Sequence, residues 1–122
     1  MSELVQSNVS KRRLRVLSSS GFAHFIHDGL TDTVYVLLPL WAAGFGLSHA
    51  QVGLLKSCLS TGLALFQVPS GYLAERFSER SVMVFGTALA GFGFLGLAIS
   101  ESFFGMAICL FAAGVGCSVQ HP

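Results

Sequence analysis

Charged side chains are scarce in this 122-residue sequence, where Asp, Glu, Lys and Arg together make up 11%, against the roughly 25% usual in soluble domains. So little charge cannot cover a water-facing surface. With 52% hydrophobic residues and 11 phenylalanines, the composition is that of an integral membrane protein. Cysteine is nearly absent as well. Cys58, Cys109 and Cys117 are odd in number, lie in apolar runs and match neither a disulfide framework nor a zinc site, so they read as small packing residues. No nucleophile–base pairing or cofactor loop survives in context, which argues against an enzyme and leaves no cofactor or nucleic acid to expect. "GFGFLG" at 91–96 matches G-x-G-x-x-G but lies inside an apolar helix, where no strand-to-helix turn exists to hold a dinucleotide. A signal peptide is not expected, because four ionisable groups interrupt the apolar stretch that follows "KRRLR" at 11–15.

What the sequence does have is long apolar runs. About 20 such residues cross a bilayer, and four segments qualify, at about 17–44, 51–73, 81–100 and 102–121, after a basic segment at 1–16. The expected fold is all-α, integral to the membrane. Gly46 suits a helix end, and Ser48 with Gln51 three residues on is a capping-box pattern that starts the next helix. Glu101 stands near the start of the fourth segment, where a negative charge suits the helix dipole. Gly86, Ala90 and Gly93 share one face of the third and let a neighbour approach closely. Lys11, Arg12, Arg13 and Arg15 precede the first span, Arg76 and Arg80 separate the second from the third, and the other connections have no Lys or Arg. The positive-inside bias therefore predicts a cytoplasmic N-terminus and an in-out-in-out topology.

The first span carries an exception to its apolar surroundings, "HFIHDGLTD" at 24–32. An ionisable group in hydrocarbon is unfavourable by roughly 2.5–3.5 kcal/mol on insertion scales, so such residues mark pathways or paired networks. At about 100° per residue, His24, His27, Asp28, Thr31, Asp32 and Tyr35 fall within an arc of roughly 140°, with Ile26, Leu30, Val34 and Leu37 on another side. Counting about 1.5 Å per residue from Arg15 and from Trp41 puts both carboxylates near mid-membrane. Lys56 in the second span is at nearly the depth of Asp32 and is a candidate counter-charge. Three readings are open: a structural network, a metal site at His24, His27 and Asp28, or a transport pathway whose groups exchange protons as their surroundings alternate between wet and dry. Gly29 and Pro39 are expected to weaken regular helix on either side of this stretch.

Between spans two and three stands "GYLAERFSER" at 71–80, expected as a short cytoplasmic loop. It resembles the signature loop of the major facilitator superfamily: Gly71, Leu73, Arg76 and Arg80 match, Glu75 replaces the usual aspartate, Ser78 stands where a glycine is common and Glu79 where a base is common. "HFIHD", "LLPLWAAGFGLSHAQVGLL", "FQVPSGYLAER" and "GVGCSVQHP" narrow the resemblance to the fosmidomycin-resistance branch. That resemblance implies the first four helices of a facilitator fold in a bacterial inner membrane. It also implies proton-coupled efflux of a drug or small organic anion, and a gating role for Gly71, Leu73, Glu75, Arg76 and Arg80. It further puts Asp28, Asp32, Gln120 and His121 near the substrate or coupling protons, and the polar arc and depth match add His24, His27 and Lys56 to the expected substrate or proton pathway. Superfamily members usually have twelve spans, so the chain is expected to be a fragment, inactive without the missing C-terminal portion. The alternatives are a four-helix small multidrug exporter acting as a dimer and a non-transporting membrane subunit.

Overall fold

The computed structural model describes residues 2–120, and among these the secondary structure is helical. Its elements are α1 (Ser2–Phe45), α2 (His49–Arg76), α3 (Glu79–Ala98), α4 (Phe103–Cys117) and a 3-10 turn, Ser118–Gln120. The basic segment does not end before the first span. It is continuous with it in one 44-residue helix, because nothing from Ser2 to Ser20 is glycine or proline. Nor do Gly29 and Pro39 break α1. Pro39 withholds one donor, from the Tyr35 carbonyl, while Thr31 Oγ1 donates to the His27 carbonyl at 3.0 Å and Thr33 Oγ1 to that of Gly29 at 2.7 Å, so these hydroxyls are satisfied within the helix.

The helix ends follow the local chemistry of the sequence. Gly46 adopts φ 63°, the left-handed conformation that glycine reaches without a Cβ penalty, and Leu47 N donates to Ala42 O at 3.0 Å, the long bond of a Schellman cap. Ser48 and Gln51 form both bonds of the expected capping box at the start of α2. Ser48→Ala is expected to cost about 1 kcal/mol, read as a lower midpoint in a denaturing-detergent titration; an unmoved midpoint would refute the cap's contribution. The signature segment is mostly helix, and only Phe77 and Ser78 separate α2 from α3. Ser78 takes the N-cap of α3, accepting from Ser81 N at 3.3 Å. Glu79 in that helix's first turn and Arg76 in the last turn of α2 both complement the helix dipoles. Ser102 caps α4 in the same manner, accepting from Gly105 N at 3.1 Å.

Two compact units divide the chain, one ending at Val34 and the other beginning at Tyr35. In the first, α1 carries the basic residues and the polar stretch. In the second, α4 packs against both α2 and α3. The contact is made close by small residues: a Cβ added at Gly62 or Gly114 would run into the backbone of the facing helix in the α2–α4 pair, and one added at Gly93 or Gly116 into that of the α3–α4 pair. The expected packing face of Gly86, Ala90 and Gly93 is buried. Around these seams lie buried Leu55, Leu59, Met106, Leu110 and Cys117, and Phe66 meets Phe111 edge to face with centroids 6.4 Å apart. Phe85, Phe92, Ile99 and Phe104 point outward, as suits a surface surrounded by lipid. Residues His49–Arg76, Glu79–Ala98 and Phe103–Gln120 are long and apolar enough to cross a membrane. α1 is longer still but, carrying both the basic segment and the polar stretch, is not among these three, whereas four spans were expected.

Candidate functional site

Because α1 is regular through residues 24–35, the polar arc read from the sequence is preserved as one helix face. His24 Nε2 lies 3.3 Å from Asp28 Oδ2, one turn away, with both side chains about half exposed. The contact is an ion pair when the imidazole is protonated and a hydrogen bond donated by Nε2–H when it is neutral, so either charge state keeps the two groups together. His27 is buried, Asp28 and Thr31 are half-buried, and Asp32 is exposed. Within the described residues, no three His, Cys, Asp or Glu side chains come together to hold a metal ion.

In the second unit, the Lys56 ammonium sits over the Tyr35 ring, 5.1 Å from its centroid. The negative face of the ring stabilises the cation there, which gives Lys56 an aromatic partner and places it beside the last member of the polar arc. Tyr35 was part of that arc, but its pairing with Lys56 was not visible in the sequence.

The far end of this unit holds a second polar grouping. Gly71, Glu75, Glu79 and Gln120 line a cavity of about 400 Å³ together with Ser70, and Leu73 lines a neighbouring apolar cleft of about 710 Å³. Gln120, expected on the pathway, is thus gathered with the signature residues, and its Nε2 donates to Thr87 Oγ1 at 3.4 Å. His121 lies outside the described residues. Arg76 and Arg80 are exposed on either side of the Phe77–Ser78 turn. Ser70 and Ser118, which the sequence reading did not single out, form a buried bridge between α2 and the 3-10 turn, with Oγ atoms 2.8 Å apart. Ser118 Oγ already donates to the Val115 carbonyl at 2.7 Å, so the single hydrogen left for the bridge is that of Ser70. A lone hydroxyl in an apolar helix is the available sequence signal for such a contact.

Comparison with known proteins agrees with this architecture. Residues 20–122 match the family model described as Major Facilitator Superfamily. The uncharacterized MFS-type transporter YceJ of Bacillus subtilis (strain 168) is 37% identical over 97 residues, covering 75% of this chain and 24% of the relative. The MFS-type transporter YfnC of the same organism is 24% identical over 107 residues, covering 88% and 26%. The Fosmidomycin resistance protein of Escherichia coli (strain K12) is 23% identical over 107 residues, again covering 88% and 26%. The chain therefore spans about a quarter of the length of the curated relatives it matches. No solved structure matches it. With four helices, spans of membrane length and a family match over most of its residues, the chain belongs to the major facilitator superfamily.

Proposed function

We propose that these helices are the first four of a proton-coupled secondary transporter that exports a drug or small organic anion from the bacterial cytoplasm. Its partners are then the substrate, protons, the lipid bilayer and the remaining helices of the transporter. The observation that carries this reading is the His24–Asp28 pair on the polar face of α1, an imidazole and a carboxylate 3.3 Å apart, both of a type that carries protons. Secondary transporters bind near the midplane between repeats, and the depth read for Asp28 and Asp32 agrees with that.

In this reading His24, His27, Asp28 and Asp32 are pathway residues and so is Lys56, and the N-terminus and the α2–α3 turn face the cytoplasm. Gly71, Leu73, Glu75, Arg76 and Arg80 form the gate, and the two carboxylates lining the cavity beside Gln120 belong to its closing surface. Export is favoured because one relative is named for fosmidomycin resistance. Four helices alone are not expected to transport, since a cavity between repeats needs both sides. Superfamily membership favours neither the small dimeric exporter nor the non-transporting subunit.

The test is a substrate-driven pH change. Full-length transporter in proteoliposomes with a trapped pH-sensitive dye is exposed to a panel of drugs and organic anions, fosmidomycin among them. Movement of a compound is expected to shift the internal pH and to respond to an imposed pH gradient; movement with neither effect refutes proton coupling.

A further inference from the structure

The end of α1 before the first span offers a site unconnected with transport. Because α1 is continuous through residues 2–45, "KRRLR" is helical, and at about 100° per residue Lys11, Arg12, Arg13 and Arg15 spread over roughly 200° of the helix circumference. Charges so distributed suit an environment of anionic headgroups around the helix. Counting about 1.5 Å per residue back from Leu17, all four lie roughly 3–9 Å outside the start of the span, which is the depth of the polar headgroup layer.

Within this collar, Arg12 and Arg13 flank an open cleft of about 520 Å³ whose other walls are Val9, Val16 and Leu17. All five side chains are exposed. The order along the axis matters: Val9 is the outermost wall, the two guanidiniums follow it, and Val16 and Leu17 continue from them toward the bilayer. An anionic phospholipid has the same order, phosphate outside and acyl chain inside. Arginine matches phosphate oxygens with two parallel N–H donors, which lysine cannot do, and a basic juxtamembrane segment next to a bilayer meets anionic headgroups first.

We propose that Arg12 and Arg13, with Val16 and Leu17, form a binding site for one anionic phospholipid of the phosphatidylglycerol type. The guanidiniums hold the phosphate and the two apolar side chains take the start of an acyl chain. This inference does not depend on the transport reading, because it requires only that α1 enter the membrane near Leu17.

Native mass spectrometry on the full chain, extracted from nanodiscs that mix phosphatidylglycerol and phosphatidylcholine in equal amounts, counts the lipid that stays bound. Wild type is expected to retain phosphatidylglycerol several-fold over phosphatidylcholine. Arg12→Lys/Arg13→Lys keeps the net charge and its topological signal yet removes the forked donors, and should lower that preference at least threefold. Leu17→Ser should lower retention of phosphatidylglycerol, and added inorganic phosphate should leave it unchanged if the bound species is the lipid. Equal retention of the two lipids by wild type overturns the site. So does a lysine double variant that behaves as wild type, or displacement of the lipid by free phosphate.

Discussion

Asp28→Asn in the full-length transporter is expected to lower pH-gradient-driven transport by at least about tenfold, equivalent to roughly 1.4 kcal/mol in the barrier of the coupled step. Asparagine keeps the shape of aspartate and its helix position but cannot carry a proton. It also removes the negative member of the His24–Asp28 contact. Asp32→Asn should act in the same direction, because Asp32 lies on the same face one turn on. Thr33→Ala is the matched control, since the Thr33 hydroxyl is committed to the Gly29 carbonyl of its own helix. Undiminished gradient-driven transport in both aspartate variants would remove them from proton coupling.

Gly114→Leu is expected to destabilise the helix bundle by about 3 kcal/mol or more, at the upper end of overpacking effects. A Cβ at this position would press on the Leu59 carbonyl and the Leu63 nitrogen. Both are backbone atoms of α2, so no rotamer change relieves the clash and α2 must move away from α4. That movement opens the seam in which Leu55, Leu59 and Leu110 are buried and adds the loss of their packing. Gly53→Ala gives the contrast. Nothing lies within 4 Å of a Cβ there, and alanine is favoured over glycine in a helix interior by about 1 kcal/mol, so this variant should be neutral or more stable. The measurement is the unfolding midpoint in a denaturing detergent. Equal midpoints for the two variants would mean that the close approach of α2 and α4 does not hold the bundle together.

The parts of the fold visible in the sequence are those set by local rules. Apolar run length gave α2, α3, α4 and the end of α1 to within a few residues, though not the start of α1, and the Gly46 turn and the Ser48–Gln51 box each need only neighbours to form. The Gly86–Ala90–Gly93 face was legible because small residues at helical spacing have few other uses in a membrane span. The misread elements depended on competition between local signals. The signature segment reads as a loop from its charges, yet arginines and glutamates are good helix formers, and two residues, Phe77 and Ser78, suffice to reverse the chain. Ser78 looked like a departure from a motif glycine and is a helix cap instead.

The candidate site divides along the same line. The polar arc of α1 follows from helix geometry alone, so it survived into three dimensions. Contacts between helices did not announce themselves: Lys56 over Tyr35, Ser70 with Ser118 and Gln120 beside Glu75 and Glu79 depend on how α2, α3 and α4 pack. That packing rests on glycines at 62, 114 and 116, whose partners lie dozens of residues away in the chain.

The most direct measurement is a cysteine-accessibility scan of α1 in the full-length transporter, with Cys58, Cys109 and Cys117 replaced by alanine. Single cysteines are placed at Thr31 and Tyr35 on the polar face and at Ile26 and Leu30 on the other, then treated with a membrane-impermeant maleimide applied from each side of the membrane. A water-filled pathway along the polar face predicts labelling at 31 and 35, slowed by transported substrate, with 26 and 30 protected by lipid or by protein. Equal labelling of the two faces, or labelling confined to 26 and 30, would contradict it.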